Sequence, residues 1–446
     1  MLARRQHGPH SRHDAAMSSH TPTTDRPYYD PVIQTMPLER VQELQAQCLA
    51  RQLDRVWSVP VPFFQRKLEA AGLQRADLRR LEDLRLIPTT KKDALRRSEE
   101  EHPPFGDYRG APVSAAVRLG ASTGTSGKPT LILWTRKDLE VDYAASSRGR
   151  WRWGLRPGMS LANAHPFGMN AGGWHFSHGI EGLGVLNIPS GPPVGEQHIK
   201  DVIEVWRRLR PDMYRLFGNV ATTYADAARA TGLDPARDLN LTIAGDHPSE
   251  QYMIASSGLE ALPLLGSACD ERDGAHLAED LAIVEVIDRH TGRPCGHGER
   301  GNLVVTVLEK DNFLLRYDLE DIVRWNTKPC PCGETHRRLF YEGRVRDIVP
   351  VEAHEILPID IALVLYEFPE VSTPSAEYQI VRRKVPSPAL QVRLEYDPSS
   401  VGDVAAITQR ITERFRDRLG VTTQLDLVAR GDLPRFAYKA ARVVDE

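Results

Sequence analysis

Two groups of residues in this sequence have the types and spacing to do chemistry. The first is the stretch 119–130, LGASTGTSGKPT. Glycine beside Ser and Thr lets the backbone come close to an anion, hydroxyls and amide N–H groups donate to it, and a lysine adds charge. Ser122, Thr123, Gly124, Thr125, Ser126, Gly127 and Lys128 therefore read as a cradle for nucleotide phosphates. A Walker loop does not fit, because Ser122 falls where its first glycine belongs and Pro129 where its magnesium-binding hydroxyl belongs. The apolar, β-branched run from Thr130 to Thr135 predicts that the loop joins two strands. The second group is Cys330-Pro-Cys332, with Cys269 and His276 upstream at C-x6-H spacing. Three thiolates and one imidazole make the closed tetrahedral set of a structural zinc site, with Cys295 and His336 in reserve. Free buried cysteines beside a surface histidine are the plain alternative.

The chain that positions these groups has 446 residues, more than one ordinary core holds, so a large domain and a smaller one are expected. Its 57 Lys+Arg against 60 Asp+Glu give a formal charge of -3, which offers no electrostatic case for nucleic acid or a membrane and favours a small-molecule partner. No apolar run approaches the ~20 residues that cross a bilayer. Five unevenly placed cysteines make no disulfide framework, so a reducing, cytoplasmic setting is expected. Residues 1–26 are polar, lack an apolar signal core and read as a disordered leader, with Met17 as an alternative start. Leucines at helical spacing follow over 38–53. Between Val113 and Val323, strand-like runs (160–164, 184–188, 239–244) alternate with helical stretches (201–208, 220–231, 249–257), the pattern of a layered α/β domain. Beyond Arg344 come strands at 378–382 and 390–396, a helix carrying Val404, Ile407, Ile411, Phe415 and Leu419, and a strand at 422–428. That order predicts a compact α+β module.

Taken in chain order, ASTGTSGKPT, RYDLEDIVRW, CPCGETH, EGRVRDI and LPRFAYKAARVVDE resemble the motifs of phenylacetate-coenzyme A ligases, a branch of the adenylate-forming superfamily. The resemblance runs from about Val61, where VPFFQRKLEAAGL is similar to the family's opening helix, to the C-terminus. It implies an N-terminal domain (27–343) holding ATP and the acid, and a small C-terminal domain (344–446) that rotates between adenylation and thioester formation. The chemistry agrees. A carboxylate has oxide as its leaving group, so attack on the α-phosphorus of ATP makes an acyl-AMP that a thiol can open, and cations must stand near both partners. By resemblance, Lys439 is the catalytic lysine that bridges carboxylate and α-phosphate, a role that suits a point charge on a flexible stem. Lys128 serves the β and γ phosphates, Asp321 accepts from both ribose hydroxyls, and Arg344 reaches the nucleotide. Gly245-Asp246-His247-Pro248 is the loop against adenine, and the four zinc positions recur in several members of the family. Arg316 and Arg324 would instead make Asp321 an ordinary ion pair.

Departures from the family pattern are as informative. Tyr438 replaces the glycine before the lysine, and Arg346 replaces the hinge aspartate, reversing a charge where the domains pivot. Leu265 stands in the place of the adenine-packing tyrosine, and no glutamate stands in register for magnesium, leaving Asp270 or Glu271 as its oxygen ligand. Residues 351–355, VEAHE, replace a glycine turn that helps build the pantetheine tunnel, which weakens coenzyme A as acceptor relative to adenylation. The acid pocket is expected at 164–175, AHPFGMNAGGWH. There Gly168 and Gly172 leave room for a flat ring, Phe167 and Trp174 stack on it, and His165, Asn170 and His175 read a ring hydroxyl or amino group, with Phe217 as a further wall. The expected activity is ATP- and Mg2+-dependent activation of an aryl acid through an acyl-adenylate, followed by transfer to coenzyme A. Transfer to a carrier-protein thiol or another nucleophile is one alternative, and a degenerate protein that binds nucleotide or aryl acid without turnover is another; a homodimer is left open.

Overall fold

The computed structural model describes residues 27–59, 61–122, 129–216, 220–241, 247–373, 376–383, 388–434 and 442–446. The polar leader 1–26 lies outside them. Leu38–Ser58 is a helix whose buried residues Val41, Gln45, Cys48, Leu49, Gln52, Leu53 and Val56 recur every three or four positions. Pro62–Ala70 follows, with proline in its first turn and Phe64 and Leu68 buried. Both helices pack on a sheet of eight strands, joining Val56, Phe64 and Leu68 to Val305, Leu315 and Leu339 in the largest core.

Two smaller sheets lie upstream of the main one. Ala116–Ser122 and Thr130–Thr135 pair antiparallel as far as Ser122 and Thr130, so strands flank 123–128 on both sides, as the flanking residues predicted. Ser160–Asn163 is the middle strand of a parallel sheet, between Leu186–Pro189 and Met213–Arg215. The strand order reverses between Ser160–Asn163 and Met213–Arg215, which opens a crevice at their carboxyl ends, the usual ligand position in such sheets. Helices Arg136–Arg152 and Ala171–Glu181 pack beside that crevice. Gly179 has no room for a Cβ against Ser146, so the two helices approach closely there.

Sequence and structure part company after Leu241. The 249–257 stretch is not an α-helix: a short 3-10 turn, Pro248–Met253, gives way to the strand Ile254–Ala255. Proline starts the turn and β-branched Ile254 ends it. Leu239, expected to open a strand, ends the short helix Pro235–Leu239, which Asp234 caps, and 242–244 lie outside the described residues. From Ile254 to Arg344 the regular elements are strands that pair antiparallel with one another, including Arg300–Val307, Tyr317–Asn326 and Arg338–Arg344. Both faces of these strands are largely buried, so they lack the alternation that marks a half-exposed strand. The C-terminal part is α+β. Strands Tyr378–Arg382, Leu390–Tyr396, Thr423–Ala429 and Val443–Asp445 carry helices Pro358–Leu365 and Val404–Leu419. Its own core, including Ile361, Ile380, Val392, Ile411 and Phe415, is separate from the rest. Among the described residues no helix is long and apolar enough to cross a membrane.

Candidate active site

The crevice holds a cavity of about 160 Å³. One wall is the face Asp142, Ser146 and Arg150 of helix Arg136–Arg152, spaced four residues apart, continued by Trp153; the other is Gly172, His175 and Phe176 of helix Ala171–Glu181. His165 and Arg215 extend from the ends of the two parallel strands, and Ile254, Leu259, Pro263 and Leu264 close the cavity. His165 is held by Asn163, whose Oδ1 accepts from the His165 backbone N–H at 3.0 Å and from Nδ1–H at 2.8 Å, while Asn163 Nδ2 donates to Ser177 Oγ at 3.1 Å. That tautomer leaves His165 Nε2 as an acceptor, with the ring stacked on Phe176 at 4.4 Å. Burial, then Arg215 and Arg150, push its imidazole far below the ordinary range. His175 is held neutral in the same way, chiefly by burial. Asp142 pairs with Lys310 at 2.5 Å, and burial pushes its carboxyl upward against that pull.

The structure brings His165, Gly172 and His175 to this cavity but not Phe167, Gly168, Asn170 or Trp174. Asn170 caps helix Ala171–Glu181, its Oδ1 accepting the Gly172 N–H at 2.9 Å. Trp174 is 40% exposed. Its Nε1–H donates to the Gly168 carbonyl at 2.9 Å, and Phe167 meets it edge-on at 5.3 Å, so these three form an outer cluster. Phe217 lies outside the described residues. The rings that do line the cavity, Trp153 and Phe176, stand one residue beyond a helix end and one residue past the glycine-rich segment.

The end of strand Ala116–Ser122 approaches the cavity, the Ala121 N–H donating to the Met169 carbonyl at 2.8 Å, just ahead of Gly172. Thr123, Gly124, Thr125, Ser126, Gly127 and Lys128 lie outside the described residues; Ser122 is buried at the loop's edge. Two residues without a sequence signal meet it. Lys92 donates to Ser122 Oγ at 3.1 Å and pairs with the carboxylate of Glu260. The Glu260 side chain is buried next to Lys92, whereas Asp270 and Glu271 lie on an exposed turn after Cys269. Leu265 is fully buried in the main core and presents no surface to a nucleotide. Glu260 thus offers a carboxylate of the oxygen type magnesium prefers, paired with Lys92 next to Ser122.

Asp321 and Arg344 face each other across neighbouring strands, Nε to Oδ1 at 3.5 Å, with the Tyr341 hydroxyl 3.5 Å from Asp321. Arg316 and Arg324 do not take Asp321: they hold Glu285 at 2.9 Å and Glu342 at 2.8 Å. The turn Pro248–Met253 lies on this strand, Gln251 Nε2 donating to the Tyr341 carbonyl at 3.1 Å, and then delivers Ile254 to the cavity. His247 bonds Ser249 Oγ at 2.7 Å and meets Tyr366 of the C-terminal part edge-on at 5.0 Å; Gly245 and Asp246 lie outside the described residues, as do Lys439 and Tyr438. The two parts are latched by Arg300, which pairs with Glu342 and with Asp360 at 2.5 Å, and by Glu355 with Arg289 and with His290 at 3.2 Å. Arg346 lies 3.7 Å from Asp347 and offers its carbonyl to Arg382 at 2.6 Å.

The second constellation is assembled as its spacing suggested. The donor atoms of Cys269, His276, Cys330 and Cys332 all lie within 4.8 Å of one another. Cys269 Sγ is 3.7 Å from Cys330 Sγ, and Cys332 Sγ is 3.4 Å from His276 Nε2. His276 Nδ1 donates to the His336 carbonyl at 3.0 Å, which turns the unprotonated Nε2 toward the sulfurs. Burial pushes the His276 imidazole down to about 4. His336 is a neighbour of the set and not a member, and Cys295 bonds the Arg300 carbonyl elsewhere.

Residues 353–446 match the model of the AMP-binding enzyme C-terminal domain. The phenylacetate-coenzyme A ligase of Thermus thermophilus is 31% identical, over 94% of this chain and 99% of its own length. The Escherichia coli enzyme of the same name is 28% identical, over 93% and 96%. Among solved structures, 2-hydroxyisobutyryl-CoA ligase with its acyl-AMP in the postadenylation state superposes with a TM-score of 0.83 at 26% identity, covering 96% of this chain and 94% of that one. In its thioesterification state the same ligase superposes with a TM-score of 0.67. Sequence, fold and near-complete coverage agree: the chain belongs to the phenylacetate-coenzyme A ligase group of the adenylate-forming enzymes, ATP-dependent and AMP-forming acid–thiol ligases.

Proposed function

We propose that this enzyme activates a carboxylic acid built on one aromatic ring and passes it through the acyl-adenylate to the thiol of coenzyme A. The cavity is what supports the ring: about 160 Å³, with Phe176 and Trp153 in its walls. An engineered cavity of roughly 150 Å³ holds one benzene. The acid's carboxylate would lie near Gly172, beside the end of strand Ala116–Ser122. Its oxygen attacks the α-phosphorus, the acyl–O–P bond forms, and the P–O bond to pyrophosphate breaks. Lys439 would neutralise charge growing on the reacting oxygens, and Lys128 and Lys92 charge on the departing phosphates. Asp321, oriented by Arg344 and Tyr341, would receive the ribose hydroxyls. Glu260 would hold magnesium, which when bound neutralises phosphate charge. The thiol sulfur then attacks the acyl carbon and AMP leaves. Cys269, His276, Cys330 and Cys332 would hold a structural zinc, since four protein ligands leave no open position.

Rotation of the C-terminal domain between the two half-reactions belongs to the same reading. The better superposition on a postadenylation state supports the view that the Arg300 and Glu355 contacts belong to the adenylation side. Pyrophosphate release across single-ring acids and short aliphatic hydroxy acids tests the substrate class. Ring acids should be favoured in kcat/KM by at least about tenfold, the discrimination a fitted apolar pocket gives. Equal or better turnover of the aliphatic acids would overturn the ring.

A further inference from the structure

The cavity contains a cation that this chemistry does not use. Arg150 is 4% exposed and lines the cavity. Its guanidinium lies 4.4 Å from the Phe176 ring centre and 5.2 Å from that of Trp153. Among the described residues it makes one long hydrogen bond, from Nη1 to the Ser146 carbonyl at 3.4 Å, and its Nε meets no acceptor. Among the described residues no carboxylate comes within ion-pair distance of it. Elsewhere this chain matches its buried guanidiniums: Arg148 holds Asp280 at 2.6 Å, Arg316 holds Glu285 at 2.9 Å, and Arg338 holds Asp273 at 2.7 Å. The one acid in the cavity wall, Asp142, is already held by Lys310. A second guanidinium, Arg215, lines the same cavity, and the two like charges repel. An unmatched buried charge is destabilising, and a ligand anion would remove that penalty.

We propose that the acid this enzyme activates carries a second carboxylate, which Arg150 and Arg215 bind at the end of the cavity away from the phosphate loop. The inference rests on the cavity being the acid site. Gly172 lies by Ala121 at the end of strand Ala116–Ser122, while Phe176, under Arg150, stands one helical turn further on, roughly 6 Å along the axis at about 1.5 Å per residue. That span is close to the separation of two carboxyl carbons across a benzene ring. The rings of Phe176 and Trp153 hold the guanidinium plane, whose fork suits a carboxylate.

Pyrophosphate release by the full-length protein decides the matter with paired acids: benzoate against benzene-1,3- and 1,4-dicarboxylate, and phenylacetate against its ring-carboxylated form. Wild type should favour the better diacid of each pair by roughly 10- to 100-fold in kcat/KM, the effect of charge-assisted hydrogen bonds. Arg150→Met should bring that ratio close to unity, mainly through KM, and Arg150→Lys should restore part of it. Wild-type preference for the monoacids would overturn the proposal. So would an Arg150→Met variant that loses both acids alike with the ratio unchanged, the result for a purely structural arginine or one that grips the reacting carboxylate. Should Arg150→Met fail to fold, Arg215→Met and the wild-type melting temperature decide: the diacid must raise that temperature more than the monoacid does. Absence of pyrophosphate with every acid would overturn the acid-activating reading itself, whereas turnover of monoacids alone would overturn only the second carboxylate.

Discussion

Asp360→Asn should separate the two half-reactions. Asp360 Oδ1 takes Arg300 Nη2 at 2.5 Å and its Oδ2 takes Nη1 at 3.2 Å, while Arg300 also pairs with Glu342 on the strand that ends at Arg344. The Asp360 side chain is 11% exposed and that of Arg300 40%. The pair is therefore stronger than a surface bridge and weaker than a buried one, and breaking it should cost about 1–2 kcal/mol. The amide oxygen of Asn can still accept the Leu357 N–H, now held at 2.9 Å, so helix Pro358–Leu365 stays capped and the change is confined to the seam. At about 1.4 kcal/mol per tenfold, the ratio of latched to released arrangements falls about 5- to 30-fold. If the latch belongs to the adenylation side, ATP–pyrophosphate exchange falls by up to that factor, while thioester formation from supplied acyl-adenylate holds or rises. Rapid-quench measurement of each half-reaction separates the cases. Equal loss in both, or none in either, would refute the assignment of the latch.

Other consequences follow from individual sites. Protein purified without chelator should carry about one zinc per chain, and Cys330→Ser or Cys332→Ser should lower both metal content and melting temperature; metal-free protein that is equally stable would remove the site. His165 titrates far below the ordinary 6.5, near about 2, through burial and then Arg215 and Arg150. Between those values the unfolded chain binds a proton that the folded chain refuses, so stability present above about pH 6.5 is lost as pH falls, by up to about 1.4 kcal/mol per pH unit. Urea melts of His165→Gln should show a flatter acid limb than wild type, and an unchanged limb would contradict this. Lys439→Ala should nearly abolish adenylation and spare thioester formation from supplied acyl-adenylate, because its charge matters most as negative charge builds on the reacting oxygens; equal loss in both steps would count against it. Glu260→Gln should raise the magnesium concentration needed for half-maximal pyrophosphate release, and an unchanged requirement would return the ligand question to the ATP phosphates.

The parts of this chain that were legible in its sequence are those set by local rules. Residues 123–128 are flanked by apolar, β-branched runs that form strands, and Tyr378–Arg382 and Leu390–Tyr396 have the expected limits because both are short apolar runs that pair with each other. The sulfur set was legible because a Cys-Pro-Cys turn is compact and His276 lies on a neighbouring strand. What was not legible depends on distant convergence. Lys92 and Glu260, 168 positions apart, meet at Ser122 only because the strand Thr90–Lys91 joins the main sheet, and in sequence Lys92 is one of a charged run. In the sequence Arg150 is one of three arginines in SRGRWRW with nothing to mark it, and it is the packing of helix Ala171–Glu181 against its own helix, close at Gly179 and Ser146, that puts it beside Phe176. Phe167 and Trp174 had the right chemistry for a ring pocket, but the cap at Asn170 turns them outward and leaves Phe176 to face the cavity.

The central claim is that the acid attacks the α-phosphorus of ATP. Labelling the carboxylate oxygens of a turned-over acid with oxygen-18 and weighing the AMP produced in the presence of coenzyme A tests it most directly. AMP should retain a labelled oxygen from the acid, and the acyl-adenylate should accumulate when coenzyme A is withheld. Unlabelled AMP, or ADP and phosphate in its place, would contradict it.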